Sequence, residues 1–105
     1  MHHHVYVVLL DESARKDFRM RTANPKADPS KPCLYVGMTG LDPAERLANH
    51  KQGTKASALV RRYGLRLVPK LFEHLNPMPY DAAVQMEMDL AEDLRAQGFA
   101  VGGGH

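Results

Sequence analysis

One run of apolar residues, Val5–Leu10, places the strongest constraint on how this chain folds. It is short, rich in Val and Leu, and contains Tyr6. Such a run is typical of a strand that is buried on both faces of a sheet. The chain must therefore supply elements to cover both faces, and 105 residues are enough to do so in one domain. We predict a single domain over residues 1–105.

Caps, breakers and periodicity predict the remaining elements. They are a strand at Leu34–Gly37, a helix capped by Asp42 and ended by Gly53, a short helix at Ala56–Tyr63, a strand at Leu65–Leu75, and a helix that is capped by Asp81 and runs to about Gln97. The order β-β-α-α-β-α predicts an α+β fold with a small three-stranded sheet flanked by helices.

The segment 11–32 is polar and contains Pro25, Pro29 and Pro32. We predict a long loop insertion here, because closely spaced prolines interrupt helices and strands. The segment is also basic, with Lys or Arg at positions 15, 16, 19, 21, 26 and 31. One hypothesis is that the loop contacts substrate, and the alternative is a surface loop without a function.

Charge is distributed unevenly along a chain whose formal net charge is only +2. No acidic residue lies between Arg46 and Lys70, whereas no basic residue lies between Asp81 and Asp93. The basic stretch favours a surface for a polyanion, and its alternative is an ordinary solvated face. The candidate phosphate contacts are Lys51, Lys55, Arg61 and Arg62.

Composition excludes several classes of protein. No apolar run approaches the roughly 20 residues of a membrane-spanning helix. The N-terminus lacks the pattern of a signal peptide, and the single cysteine, Cys33, excludes a disulfide framework. We therefore expect a cytoplasmic protein with no membrane association.

A carboxylate interrupts the apolar stripe of the last predicted helix. At 100° per residue, Glu87 falls within the stripe formed by Ala83, Leu90 and Leu94. A buried carboxylate needs a cation, a hydrogen-bond network or water to compensate its lost hydration. Glu87 is thus either paired with an arginine or placed to act as a metal ligand or catalytic group.

Arg46 and His50 are four residues apart and share one face of the preceding helix. Tyr6 and Tyr35 lie within apolar strands, where a tyrosine is usually a core residue with a tethered hydroxyl. None of these residues identifies a function by itself.

Taken in order, these residues resemble the motifs of the GIY-YIG nuclease superfamily. The first motif corresponds to His4-Val5-Tyr6 and the second to Tyr35-Val36-Gly37. They are followed by Thr39, Arg46, His50 and, on the last helix, Glu87. The resemblance covers nearly the whole chain and is closest to small members that consist of the nuclease module alone.

The resemblance implies hydrolysis of DNA phosphodiester bonds with Mg²⁺ or Mn²⁺. It implies catalytic roles for Tyr6, Tyr35, Arg46, His50 and Glu87, with Glu87 holding the metal. Gly37 and Thr39 would approach the substrate. Either tyrosine could position the attacking water, with His50, Lys51 or the metal assisting in its deprotonation.

Three features separate the chain from the family pattern. His4 replaces the first glycine, and the segment 11–32 between the two motifs is much longer than is usual. No asparagine follows Asn76, although the family carries one near the end of the module. An alternative is therefore a non-catalytic nucleic-acid-binding module of the same fold. A third hypothesis is a transition-metal site at His2, His3 and His4, although successive strand residues point to opposite faces. Protein partners are not indicated by the sequence.

Overall fold

The computed structural model describes residues 2–51 and 57–104 of the chain. The fold is α+β, with helices packed on a mixed sheet of strand order β3-β1-β2-β4. The strands are β1 (His4–Leu10), β2 (Cys33–Thr39), β3 (Gly64–Leu67) and β4 (Ala100–Gly103). The helices are α1 (Phe18–Ala23), α2 (Pro43–Lys51), α3 (Ala58–Tyr63) and α4 (Tyr80–Ala96).

Strand β1 lies inside the sheet, as its apolar sequence predicts. It pairs antiparallel with β2 on one side and with β3 on the other. All four residues from Val5 to Val8 are buried. Because successive side chains of a strand point to opposite faces of the sheet, both faces of β1 are covered. Helix α4 packs against β2 and β4, while α2 packs against β3 and β1. The prediction of a central strand is confirmed.

The predicted three-stranded sheet is wrong, because the chain forms a fourth strand after α4. Ala100–Gly103 pairs in parallel with β2, from Cys33 to Val36. Two apolar residues of β4, Ala100 and Val101, enter the core. Gly103 has a φ of 76°, and a Cβ there would lie 2.2 Å from the Val36 carbonyl oxygen. Glycine, a poor strand former, is thus required by close backbone approach.

The predicted strand at Leu65–Leu75 is much shorter in the structure. β3 ends at Leu67, and the Val68 amide makes one further bond to the Val7 carbonyl, at 2.9 Å. Pro69 then starts a 3₁₀ turn, Pro69–Leu71, and a second turn follows at Glu73–Leu75. Proline has no amide hydrogen for the ladder and its fixed φ suits the first position of a helical turn.

The segment 11–32 is only partly the predicted loop: its three prolines lie in residues 24–32, which form no helix or strand, but the residues before them do. It contains a 3₁₀ helix at Glu12–Lys16 and then α1. Asp11 and Asp17 cap these helices, each accepting a backbone hydrogen bond of 2.9 Å two residues ahead. Met20 is buried in the core, which makes the segment part of the folded unit.

Two asparagine side chains form hydrogen bonds with the backbone of strand residues at positions where no neighbouring strand pairs with them. The Asn24 amide accepts from the Val101 amide at 2.8 Å and donates to the Val101 carbonyl at 3.0 Å. The Asn76 amide does the same for Val5, at 2.9 Å and 2.7 Å. Each side chain therefore satisfies one donor and one acceptor that a neighbouring strand would otherwise pair.

Helix α4 buries the face that the helical wheel predicts. Ala83, Glu87 and Leu94 are buried, and Glu92 on the opposite side is exposed. The residue before the helix is Pro79, so the predicted capping role of Asp81 is wrong. The helix ends before Gly98, whose φ of 101° is the left-handed conformation common after a helix C-terminus.

Within the described ranges 2–51 and 57–104, no helix is both long enough and apolar enough to cross a membrane.

Candidate functional site

The ring of Tyr6 lies over a glycine on the neighbouring strand. Register pairs Tyr6 of β1 with Gly37 of β2. A Cβ at Gly37 would lie 2.5 Å from the Tyr6 hydroxyl oxygen, closer than side-chain atoms can approach. Gly37 therefore provides the space into which the Tyr6 ring is folded, and Tyr6 is only 2% exposed.

Tyr35 lies on the same face of the sheet as Tyr6. It is two residues before Gly37, and alternate strand residues share a face. The two tyrosine ring centroids are 6.4 Å apart. Tyr35 is only half-buried, so its side chain is the more accessible of the two.

Helix α2 brings His50 to the two tyrosines. The His50 ring centroid lies 6.1 Å from each tyrosine ring, and its Nε2 lies 2.9 Å from the Tyr6 hydroxyl oxygen. The backbone amide of Ser57 donates to His50 Nδ1 at 3.0 Å. Nδ1 must then be unprotonated, so the proton of the neutral ring is on Nε2. His50 therefore donates to the Tyr6 oxygen.

Burial keeps His50 neutral. The residue is 1% exposed, and the loss of hydration together with the nearby Arg46 charge lowers its pKa to about 4. A neutral His50 that donates through Nε2 has no basic nitrogen facing Tyr6. It therefore orients the Tyr6 hydroxyl and does not take up the proton of that hydroxyl.

Arg46 and Glu87 bring opposite charges to the same two tyrosines. Arg46 hydrogen-bonds the Tyr6 side chain, and its positive charge also acts on Tyr35. Glu87 is buried, and its negative charge acts on both rings. We call these five residues the Tyr6 cluster: Tyr6, Tyr35, Arg46, His50 and Glu87.

Both tyrosines in the Tyr6 cluster are hard to ionise. Burial raises the pKa of Tyr6 strongly, and the Tyr35 and Glu87 charges add to this increase. Burial also raises the pKa of Tyr35, although a hydrogen bond with the Ser57 side chain opposes it. At neutral pH the two hydroxyls are therefore protonated, and they can orient a water molecule more readily than they can deprotonate one.

Glu87 is the acidic member of the Tyr6 cluster. In residues 2–51 and 57–104, no group of three or more His, Cys, Asp or Glu side chains is arranged to hold a metal ion. A single carboxylate nevertheless suits Mg²⁺, which commonly binds through one or two carboxylates, water and substrate phosphate. The donor chemistry of Glu87 fits a metal that is completed by substrate.

The remaining predicted site residues that the structure describes lie on β2, α2 and α3. Thr39 ends β2, and its hydroxyl accepts from the Leu41 amide at 3.0 Å. Arg61 and Arg62 are exposed in the last turn of α3. Lys51 is the last residue of α2, and Lys55 lies outside the described residues.

The N-terminal histidines do not form the hypothesised metal site in the described part of the chain. His3 pairs its backbone with Met78 and packs its ring edge against Tyr80, with centroids 5.1 Å apart. His4 starts β1 and lines a cavity between β1 and α2.

Sequence reasoning missed Ser57, which supports the Tyr6 cluster from the start of α3. Its backbone amide fixes the His50 tautomer, and its hydroxyl bonds Tyr35. The side chain makes no capping hydrogen bond to α3, although Ser57 occupies the cap position. Serine before a helix usually indicates a cap, so the sequence contained no signal for this second role.

No family model, no curated protein and no solved structure matches this chain. The Tyr6 cluster and the sequence motifs therefore carry the functional inference.

Proposed function

We propose that the chain is a small metal-dependent endonuclease of the GIY-YIG type that hydrolyses DNA phosphodiester bonds. The observation that carries this proposal is the convergence, from four elements of the fold, of the five residues of the Tyr6 cluster: Tyr6, Tyr35, Arg46, His50 and Glu87. These are the residues that the motif resemblance assigns to catalysis. They are far apart in sequence, and neighbouring strands and helices bring them together.

Arg46 is the residue suited to bind the scissile phosphate. Its side chain is half-buried, and its guanidinium presents fixed N–H donors that match phosphoryl oxygens. The hydrogen bond with Tyr6 holds the Arg46 guanidinium in place. Donors fixed before substrate arrives stabilise the charge that develops in the transition state.

Tyr35 is the residue suited to orient the attacking water. Its ring is more accessible than that of Tyr6, whose hydroxyl already accepts from His50. Tyr6 and His50 then act as positioning residues behind Arg46 and Tyr35. In the reaction, the water oxygen forms a bond to phosphorus while the bond to the leaving oxygen breaks, and one proton of the water passes through solvent to the leaving oxygen.

Glu87 would hold the divalent ion, Mg²⁺ or Mn²⁺, together with substrate oxygens. When bound, such an ion supplies stabilisation of the charge on the leaving oxygen. The carboxylate itself increases the cost of ionising both tyrosines, since its charge raises their pKa values.

A non-catalytic nucleic-acid-binding module is the second candidate. It is favoured by the burial of Tyr6 and His50 and by the raised pKa of both tyrosines. Asn76 is also committed to the Val5 backbone, which leaves its amide without a role in substrate binding. This module would bind DNA through its basic residues without cutting it.

Substitution of Glu87 by Gln separates the two functions. We expect Glu87→Gln to reduce cleavage of single-stranded, nicked or branched DNA in Mg²⁺ or Mn²⁺ by about 100-fold or more, because the metal ligand loses its charge. Far-UV circular dichroism should show an unchanged fold. Direct metal binding is measured by titration calorimetry.

Glu92→Gln is the matched control, because Glu92 is exposed on the opposite side of α4. It should leave cleavage and metal binding unchanged. Equal cleavage by the two variants would remove Glu87 from the reaction. Absence of cleavage by the unmodified protein on all three substrates would instead favour the binding module.

A further inference from the structure

A cavity of about 250 Å³ lies where the end of α1 and the loop that follows it meet the end of α4. Its charged lining residues are Arg95 of α4 and Lys26 of the loop, and no carboxylate of the described residues lines it. We call it the Arg95 cavity. Its volume is smaller than that of most sites for drug-sized ligands, so it suits a small group that carries negative charge.

Arg95 is a half-buried cation without an ion-pair partner. Its Nε donates to the Asn24 side-chain oxygen at 3.2 Å, and its Nη2 donates to the Val101 carbonyl oxygen at 2.8 Å. Both acceptors are neutral, and within residues 2–51 and 57–104 no carboxylate oxygen lies within 4 Å of the guanidinium. Burial lowers the pKa of Arg95, and the more distant charge of Glu92 opposes this effect. An anion that binds beside the guanidinium would compensate its lost hydration.

The two hydrogen bonds fix the direction of the Arg95 guanidinium. Asn24 also accepts from the Val101 backbone amide at 2.8 Å, so the guanidinium, the asparagine and the strand form one connected set. Nη1 makes no hydrogen bond to any described residue, which leaves its two N–H groups for a ligand. A planar guanidinium held in this way matches the oxygens of a phosphate group.

A second cavity, of about 180 Å³, adjoins the first, and Asn24 lines both. The charged residues that line the second cavity are Arg15 and Arg21. Arg15 forms an ion pair with Glu12 at 2.7 Å, whereas Arg21 is exposed and keeps its charge for a ligand. Two adjoining cavities that each contain a cation match a chain of anions better than a single anion.

We propose that the Arg95 cavity and the adjoining cavity bind neighbouring phosphate groups of the nucleic-acid strand on which the Tyr6 cluster acts. A strand carries one negative charge per nucleotide, and lysine and arginine side chains commonly hold its backbone. Apolar residues such as Pro25 and Phe99 form most of the remaining wall of the Arg95 cavity, which strengthens electrostatic attraction there. The inference rests on the proposed function in taking nucleic acid as the ligand.

The location of the two cavities assigns them to nucleotides that flank the cut. Arg95 and Asn24 bond Val101 at the outer edge of β4, and β4 lies next to β2, which contains Tyr35. At the usual spacing of strands, side chains beside this edge lie roughly 10 Å from the Tyr35 backbone. Contacts there would hold the strand in position and would take no part in breaking the bond.

Inorganic phosphate tests the Arg95 cavity without nucleic acid. Titration of ¹⁵N-labelled protein with phosphate should shift the Arg95 Nε–H and Lys26 amide resonances until they saturate. Potassium chloride at the same ionic strength should not shift them in this way, because chloride lacks the paired oxygens that match a guanidinium. Lys26→Gln should raise the phosphate concentration at half-saturation by about threefold, the effect of one exposed charge pair.

Oligonucleotide binding in EDTA tests the strand assignment without cleavage. We expect Lys26→Gln to weaken binding of a labelled oligothymidylate, measured by fluorescence anisotropy, by about threefold. The slope of log affinity against log salt should fall in magnitude by about 0.7, the value for one phosphate contact on a single strand. Combining Arg21→Gln with Lys26→Gln should lower this slope by about 1.4.

Lys16→Gln is the matched control, because Lys16 is exposed in the same basic segment and lines neither cavity. It removes the same charge and should leave both the phosphate titration and the salt slope unchanged. The circular dichroism spectra of all three variants should match that of the unmodified protein, since the replaced side chains are exposed.

The outcomes separate this inference from the proposed function. Saturable phosphate shifts at Arg95, together with an oligonucleotide affinity that depends on Lys26, support the strand assignment even if no DNA is cut. Phosphate shifts without this dependence would assign the cavity to free phosphate and overturn the strand assignment. Absence of phosphate shifts, or of oligonucleotide binding, would also overturn it, even if the protein cleaves DNA.

Discussion

His50 is a neutral hydrogen-bond donor held between Ser57 and Tyr6. Because its folded-state pKa lies below that of an exposed histidine, the unfolded chain binds more protons between about pH 6.5 and 4. The free energy of unfolding should therefore fall as pH falls through this window. Through the protonation of His50, the free energy of unfolding should fall by at most about 3 kcal/mol between neutral pH and pH 4.

Urea denaturation at pH 7 and pH 4.5 measures this contribution. We expect His50→Gln to show a smaller loss of stability on acidification than the unmodified protein, since glutamine does not titrate. His74→Gln, which changes an exposed histidine, should retain the full loss. The same loss in all three proteins would contradict a buried neutral His50.

At the scale of elements, segment 11–32 behaves as part of the core. Met20 of α1 is buried, and a Cβ at Gly102 of β4 would lie 3.0 Å from its sulfur. We expect Met20→Ala to lower the free energy of unfolding by about 2–5 kcal/mol, because it leaves a cavity. Arg21→Ala, at the exposed neighbouring position, should change it by no more than about 0.5 kcal/mol. Chemical denaturation measures both.

Deleting segment 11–32 would therefore unfold the protein and could not report on DNA contact. Charge reversal at the exposed residues Arg21 and Lys26 tests that hypothesis with the fold retained. Weaker DNA binding with an unchanged circular dichroism spectrum would support contact. Unchanged affinity and salt dependence would place the segment away from DNA.

Local sequence signals predicted some elements and failed for others. The helix start at Asp42 and Pro43 was predictable because the signal is contained in neighbouring residues; the Asp42 side chain accepts from the Ala44 amide at 3.2 Å. β4 was not predictable, because its glycines disfavour strands and its pairing with β2 joins distant parts of the chain. The residues of the Tyr6 cluster were predicted from motifs. The role of Ser57 was not predictable, because its hydrogen bond to His50 exists only in the folded chain.

For the whole molecule, the small net charge conceals a basic surface element. Arg61 and Arg62 are exposed at the end of α3. We expect the double substitution Arg61→Glu and Arg62→Glu to weaken binding to all DNA sequences alike, since phosphate contacts carry no base information. The slope of log affinity against log salt should fall in magnitude by about 1.4–1.8 if each arginine neutralises one phosphate.

The matched control replaces both arginines by lysine, which keeps the positive charges. It should retain most of the affinity and the salt slope, measured by anisotropy titrations at several salt concentrations. A loss of affinity confined to one DNA sequence would instead assign Arg61 and Arg62 to base recognition.

The two asparagine side chains that complete the sheet have a consequence for hydrogen–deuterium exchange. Val101 lies on the outermost strand and Val5 lies beyond the end of β3, positions at which backbone amides normally exchange quickly with solvent. Here the Asn24 and Asn76 oxygens hold those amide hydrogens. Both amide hydrogens should exchange as slowly as those of the sheet interior. Asn24→Ala should accelerate exchange of the Val101 amide and leave exchange of the Val5 amide unchanged.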